Sequence, residues 1–286
     1  MRETAKALKI SEDVYWVGAV DWGIRDMHGY STERGTTYNA YLIKGEKNIL
    51  IDTVKGHFFD EMISRISSVL PPSEIDYIVS NHSEMDHSGA LVKTAGAVSP
   101  EKIFCSKNGA EALSAHFHGK LDLTAVKSGE SMRLGNKNLT FIETKMLHWP
   151  DSMFTYLREN KILFSQDAFG MHLAAKNLFD DEIPDYVLEW EAEKYYANIL
   201  MPFSDIVLKL LAELPKMNLD ISMIATDHGP IWRTKINKIL SLYKKWAEQK
   251  PEDRVVVIFD TMWGSTASMA SAVADGVSES GSDVKI

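Results

Sequence analysis

Apolar and polar positions alternate in two similar halves. Residues 14–17, 38–43 and 48–52 are short apolar runs, and the last two flank the Gly45-containing turn of residues 44–47, a hairpin pattern. Phe58, Met62, Ile63, Ile66 and Val69 then recur at helical spacing until Pro71-Pro72 stops them. An apolar strand at residues 75–79 runs into a polar string at 81–89, and a helix begins near residues 90–92. The second half opens with a hairpin from residues 154–157 and 162–165 around a turn at 158–161. Helices follow at 188–200, where Tyr195 and Tyr196 would suit a core, and at 203–214, where Phe203, Ile206, Val207, Leu210 and Leu214 share one face. A strand at 221–225 and a helix at 235–249, apolar at Ile236, Ile239, Leu240, Tyr243 and Trp246, complete the half.

Hairpins in both halves with helices between them predict two mixed sheets packed face to face, helices outside, and a site where strand ends from both sheets meet at one edge. Past Pro251 the grammar changes. A polar linker leads into residues 255–260, a β-branched run expected to be a strand buried on both faces of a parallel sheet. The expected division is therefore residues 1–250 and 251–286, consistent with a length of 286, above usual single-domain size.

Composition narrows the function classes. Hydrophobic residues at 45% and charged residues at 25% are ordinary for a globular chain. No apolar run is long enough for a membrane span and the first six residues lack an export-signal core, so a soluble cytoplasmic protein is expected, with no membrane partner. A net charge of -9 disfavours nucleic acid, whose phosphates need clustered cations. The single Cys105 lies in a strand-like run and is expected to be a buried, inert thiol; one cysteine builds no disulfide, thiolate zinc site or iron–sulfur cluster.

The chemistry concentrates in Asn81-His82-Ser83-Glu84-Met85-Asp86-His87-Ser88-Gly89. His82, Glu84 and Asp86 would not share a helix face, but a strand end turning into a loop can converge them. Three further apolar runs end on ligand types: His148 after residues 146–147, Asp167 after 162–166, and His228 after 223–227. Each precedes Gly or Pro within a few residues, as at a strand-to-loop exit. Alone, each reads as an ordinary polar turn residue; together they supply four histidines and three carboxylates, enough for two metals sharing a carboxylate.

Residues 261–267, Thr-Met-Trp-Gly-Ser-Thr-Ala, join the 255–260 strand to a helix around 269–274. Backbone N–H groups at a helix start suit a phosphate, and the absence of a P-loop lysine disfavours ATP or GTP.

His82-x-Glu84-x-Asp86-His87 followed by His148, Asp167 and His228 closely resembles the ligand set of the flavodiiron proteins, or A-type flavoproteins. Residues 28–32, 34–39 and 179–182 extend the likeness over nearly the whole chain. The resemblance implies an αββα metallo-β-lactamase-like sandwich followed by the first β-loop-α of a flavodoxin-like domain, cut early. It also implies a non-haem diiron site: His82, Glu84 and His148 on one iron, Asp86, His87 and His228 on the other, and Asp167 bridging. Within the family, His87 is either a ligand or replaced by water. Hydrolases of this fold carry His where Glu84 stands, and a carboxylate there favours redox-active iron over zinc.

The same resemblance points to His28, His172 and Tyr195 as pocket residues that donate hydrogen bonds or protons, and to Thr261, Trp263, Gly264, Ser265 and Thr266 around an FMN phosphate. With the isoalloxazine-binding loops absent, FMN should bind this chain poorly. The implied activity is reduction of dioxygen to water or of nitric oxide to nitrous oxide, in a head-to-tail homodimer or higher oligomer fed by rubredoxin or a similar donor. The competing readings are a metal-dependent hydrolase of the same fold and a metal-free scaffold.

Overall fold

The computed structural model describes residues 5–286; Met1–Thr4, part of the segment read for an export signal, lie outside the described residues. The chain divides into two compact units, one ending at Ala247 and one spanning Glu248–Ile286.

The larger unit is built on two large sheets, beside two two-stranded ribbons that pair Ala19–Asp21 with Thr36–Tyr38 and Asp26–Met27 with Tyr30–Ser31. The first has the spatial order β1 (Leu8–Ser11), β2 (Val14–Trp16), β3 (Tyr41–Ile43), β4 (Asn48–Ile51), β5 (Ile75–Ser80), β6 (Lys102–Ser106), β7 (Leu123–Val126). It is antiparallel through β4 and parallel from β4 to β7. The second has β8 (Ser131–Leu134), β9 (Lys137–Glu143), β10 (Met153–Leu157), β11 (Ile162–Gln166) and β12 (Met223–Thr226), antiparallel except for the last pair.

Strand periodicity sorts side chains between layers. On β3, Tyr41 and Ile43 join Phe104, Phe141, Leu157 and Phe164 between the sheets. Leu42 faces the other way, with Leu50 and Ile78, onto helices α1 (Phe59–Ser67), α3 (Leu91–Val98) and α4 (Lys107–His116) through Met62, Leu91 and Leu113. A one-turn helix, α2 (Met85–Ser88), lies between α1 and α3. On the far side, α5 (Asp185–Tyr195), α6 (Ser204–Glu213) and α7 (Ile236–Ala247) cover the second sheet, burying Leu188, Val207, Ile239 and Tyr243. This is the metallo-β-lactamase-like sandwich with helices outside. Tyr196 is a core aromatic as expected, its ring against Tyr243 and Trp246 and its hydroxyl 3.0 Å from Ser204 Oγ. Cys105 is buried, and burial pushes its thiol up to about 12.

In the smaller unit β13 (Arg254–Val256) pairs in parallel with β14 (Asp283–Lys285) across α8 (Ser265–Glu279). The expectation of a strand buried on both faces over 255–260 is corrected here. Strand pairing covers only three residues, and Val255, Val256, Ile258 and Phe259 are exposed, because the sheet has only two strands to cover them. The helix begins at Ser265, four residues before its sequence signal. Gly264, with φ 87, precedes it and donates its N–H to Thr261 Oγ1 at 3.0 Å.

Candidate metal centre

Parallel pairing of β11 with β12 carries Asp167 and His228 off the same end of the second sheet. In the first sheet, the exit of β5 delivers His82, and the chain then forms α2 rather than an open loop. Glu84 occupies the position before this helix, and Asp86 and His87 lie on it. His148 departs from the strand-end expectation: it belongs to the nine-residue connection between β9 and β10, five residues past the end of Lys137–Glu143 in sequence. Its apolar neighbours Met146 and Leu147 belong to that connection, not to a strand.

These seven side chains meet. His148 Nε2 lies 2.9 Å from Asp167 Oδ2, and His82 Nε2 lies 3.5 Å from the same oxygen. Glu84 Oε2 closes that group at 3.2 Å from His82 Nε2 and 3.4 Å from His148 Nε2. The other oxygen of Asp167 faces a second group, with His87 Nε2 at 3.1 Å and His228 Nε2 at 3.5 Å. Asp86 Oδ1 and Oδ2 reach His87 Nε2 at 3.4 Å and His228 Nε2 at 3.1 Å. Asp167, without solvent exposure, is shared between the groups through separate oxygens. Donor bonds of about 2.1 Å to one ion put neighbouring ligand atoms roughly 3–3.5 Å apart, the spacing found in both groups.

The donor set fits cations on internal grounds. His87 Nε2, Asp86 Oδ1 and Asp167 Oδ1 are buried without a hydrogen-bond partner among the described residues, a costly state that coordination relieves. Burial opposes ionisation, yet the facing histidines hold Asp167 and Glu84 well below the usual carboxylate range. Burial likewise opposes a charged His82, but Asp151 and Glu84 overcome it and push its pKa up to about 10. At pH 7 this ring is therefore protonated in the metal-free chain, and a metal must expel the proton to take the Nε2 lone pair. Metal binding at pH 7 is expected to release protons, with affinity rising as pH climbs toward 10. Calorimetric titration in two buffers of different ionisation heat measures this release; a buffer-independent heat would contradict it.

Of the three expected pocket residues, His172 and Tyr195 lie beside His228, and His28 reaches both groups. Residues Asp26–Met27 and Tyr30–Ser31 pair as a hairpin whose two-residue turn, His28-Gly29, has φ 55 and 77, as a type I′ turn requires. This turn brings His28 Nε2 to 3.4 Å from Glu84 Oε1 and 3.8 Å from Asp86 Oδ2. His172 Nε2 lies 3.0 Å from His28 Nδ1, and His172 Nδ1 lies 2.8 Å from Thr36 Oγ1. Burial, then the neighbouring imidazoles of His228 and His28, push the pKa of His172 well below the ordinary value, leaving it neutral. The Tyr195 ring centroid lies 5.1 Å from that of His172, and the hydroxyl is buried without a partner. A π-helical stretch, Tyr196–Leu200, begins directly after it.

Thr261, Trp263, Gly264, Ser265 and Thr266, expected to surround a phosphate, belong to the smaller unit, at the start of α8, with Trp263 89% exposed. Sequence reading missed Asp151, Asp227 and Asp52. Asp151 receives the His82 Nδ1–H at 3.2 Å, and Asp227 Oδ2 lies 3.3 Å from His87 Nδ1. Asp52 accepts the Asn81 N–H and side-chain amide, each at 2.7 Å, behind the site. Asp227 had one available signal, its position directly before His228; Asp52 and Asp151 follow no ligand spacing.

The family described as ODP family beta lactamase matches residues 36–229. A nitric oxide reductase from Moorella thermoacetica is 46% identical over 285 residues, covering 99% of this chain and 71% of the relative. The solved rubredoxin oxygen:oxidoreductase from Desulfovibrio gigas superposes with a TM-score of 0.96 at 43% identity, covering 98% of this chain and 71% of that one. The flavodiiron protein from Giardia intestinalis gives a TM-score of 0.92 at 35% identity, covering 99% and 70%.

Proposed function

Since this chain belongs to the flavodiiron proteins, we propose that it is an oxidoreductase that reduces nitric oxide, dioxygen or both at a non-haem diiron centre supplied with electrons by FMN. The observation that carries the reading is Asp167, whose two carboxylate oxygens each face a separate cluster of imidazole and carboxylate donors. His82, Glu84 and His148 would hold one iron and Asp86, His87 and His228 the other, with Asp167 between them. When bound, the irons supply ferrous–ferric cycling and open positions for a diatomic gas.

The chain's own groups do the rest. Three carboxylates offset most of the charge of two divalent cations. The neutral His172, bonded to His28, keeps that ring turned toward Glu84 and Asp86, where it can hold and give up a proton. The Tyr195 hydroxyl, burial holding it well above its ordinary pKa, stays protonated and available to donate.

In the smaller unit, Thr261, Trp263, Gly264, Ser265 and Thr266 would surround the FMN phosphate, making Glu248–Ile286 the opening segment of a flavodoxin-like domain. FMN from one subunit serving the irons of another, in a head-to-tail homodimer or higher oligomer fed by a rubredoxin-type donor, completes the proposal. A cytoplasmic location accords with the finding that no helix among the described residues is long and apolar enough to cross a membrane. Hydrolysis at the same fold is the weaker reading, because Glu84 adds a hard anionic donor suited to iron and the named relatives are reductases.

The test is anaerobic and aerobic gas consumption by the protein supplied with a low-potential chemical reductant, alongside metal analysis. Two irons per chain with nitric oxide or dioxygen consumption is the expected result; two zincs with ester hydrolysis and no gas consumption would overturn the reading. Glu84→His should lower iron retention and turnover about tenfold or more, by exchanging an anionic oxygen donor for a neutral nitrogen. Unchanged iron content and rate in that variant would remove Glu84 from the ligand set.

A further inference from the structure

The three histidines whose Nδ1 surroundings are resolved at the centre are backed differently. His228 Nδ1 points at the Thr37 carbonyl at 2.5 Å, a neutral acceptor. His87 Nδ1 lies 3.3 Å from Asp227 but is unpartnered by hydrogen-bond geometry. His82 Nδ1 instead donates to a carboxylate, Asp151 Oδ2 at 3.2 Å, which also accepts the Ser83 N–H at 2.6 Å. Asp151 is buried and lies three positions after His148, in the connection between β9 and β10.

That connection is anchored independently at its backbone. Ser106 Oγ donates to the Asp151 carbonyl at 2.6 Å while accepting the Gly109 N–H at 2.9 Å, tying the segment to the start of α4. Asn108 Nδ2 donates to the Pro150 carbonyl at 2.9 Å, and Met153 N–H donates to the Asn81 carbonyl at 3.0 Å. Backbone anchorage therefore does not require the carboxylate, whose contacts go to His82 and Ser83.

We propose that Asp151 is a positioning residue for the first metal group, pinning the proton of His82 on Nδ1 so that Nε2 presents its lone pair to the centre, and setting His82 and His148 as one unit. This rests on the diiron reading above. An anionic acceptor on Nδ1 orients the imidazole and makes the opposite nitrogen a stronger donor, an effect that typically amounts to a tenfold to hundredfold gain in metal affinity. Replacement by Asn removes the charge from the one oxygen that accepts both donors, and an amide N–H₂ turned toward His82 would force the proton onto Nε2.

The experiment loads the whole chain with ferrous iron anaerobically against a competing chelator, using wild type, D151N, D151E and S106A. Histidine ¹⁵N spectra of the zinc-loaded chains report which ring nitrogen carries the proton. Wild type should bind two irons. D151N should lower one stepwise affinity about tenfold to hundredfold, leave the other nearly unchanged, and lose the hydrogen-bonded His82 Nδ1–H signal. D151E keeps the charge but displaces it by one methylene and should lower the same step less; it carries the test if D151N does not fold. S106A, which loosens the backbone anchor alone, should leave both affinities in place. A D151N chain with both affinities and its His82 signal intact would overturn the inference, as would S106A matching its loss. A wild type that binds no iron would overturn the diiron reading and this inference together.

Discussion

Asp167→Asn is expected to empty the centre and to reduce gas turnover by about a thousandfold or more, roughly 4 kcal/mol of lost transition-state stabilisation. Asp167 Oδ2 approaches His82 and His148, and Oδ1 approaches His87 and His228, so four imidazoles depend on one carboxylate. An amide has one acceptor oxygen and one N–H₂ donor. Whichever way it turns, N–H bonds point at one pair of histidines whose nitrogens must offer lone pairs to a metal. The charge needed to offset two cations also falls by one, at a carboxylate without solvent exposure. Iron content per chain and nitric oxide consumption measure the outcome. Two retained irons with wild-type turnover would show that Asp167 does not bridge.

Gly229→Ala should combine lost stability with lost metal. Gly229 directly follows His228 and has φ 74, a conformation that costs an Ala about 1–2 kcal/mol. An added Cβ would stand 2.6 Å from the Met171 carbonyl oxygen and 2.8 Å from Met171 Cγ. The residue has little room to retreat, because its N–H donates to Thr37 Oγ1 at 2.8 Å and its carbonyl accepts from Asn39 Nδ2 at 3.0 Å. A total cost of about 3–5 kcal/mol follows, with a fall in melting temperature on the order of 10 °C. Because His228 shares the disturbed backbone, iron affinity should fall as well. Gly129→Ala is the control: φ is 81, but a Cβ there would meet nothing within 4 Å, so only the conformational cost of about 1–2 kcal/mol remains. Equal melting shifts in the two variants would remove the Met171 contact as the cause.

The legible part of this chain is local chemistry at recognisable exits from strands. Asp167 and His228 follow β11 and β12 almost immediately, and the ends of the apolar runs of β11 and β12 mark where those strands stop. His148 was found by residue type, although its supposed strand is an irregular connection held by hydrogen bonds to Asn81, Ser106 and Asn108. The run at residues 255–260 misled for the opposite reason. β-branched composition records a preference for a covered sheet, but covering requires neighbouring strands, and among the described residues β14 is the single partner of β13.

Residue types and their order along the chain, by themselves, determined two sandwiched sheets, the seven donors and the family likeness, because periodicity and donor chemistry are local properties. Tertiary structure alone decided that Asp167 divides its two oxygens between two clusters, that His28 and His172 form a hydrogen-bonded pair beside them, and that Asp151 stands behind His82. Those relations join residues far apart in sequence, from 28 to 172 and from 82 to 228, and depend on side-chain directions settled only when both sheets pack and their strand ends converge.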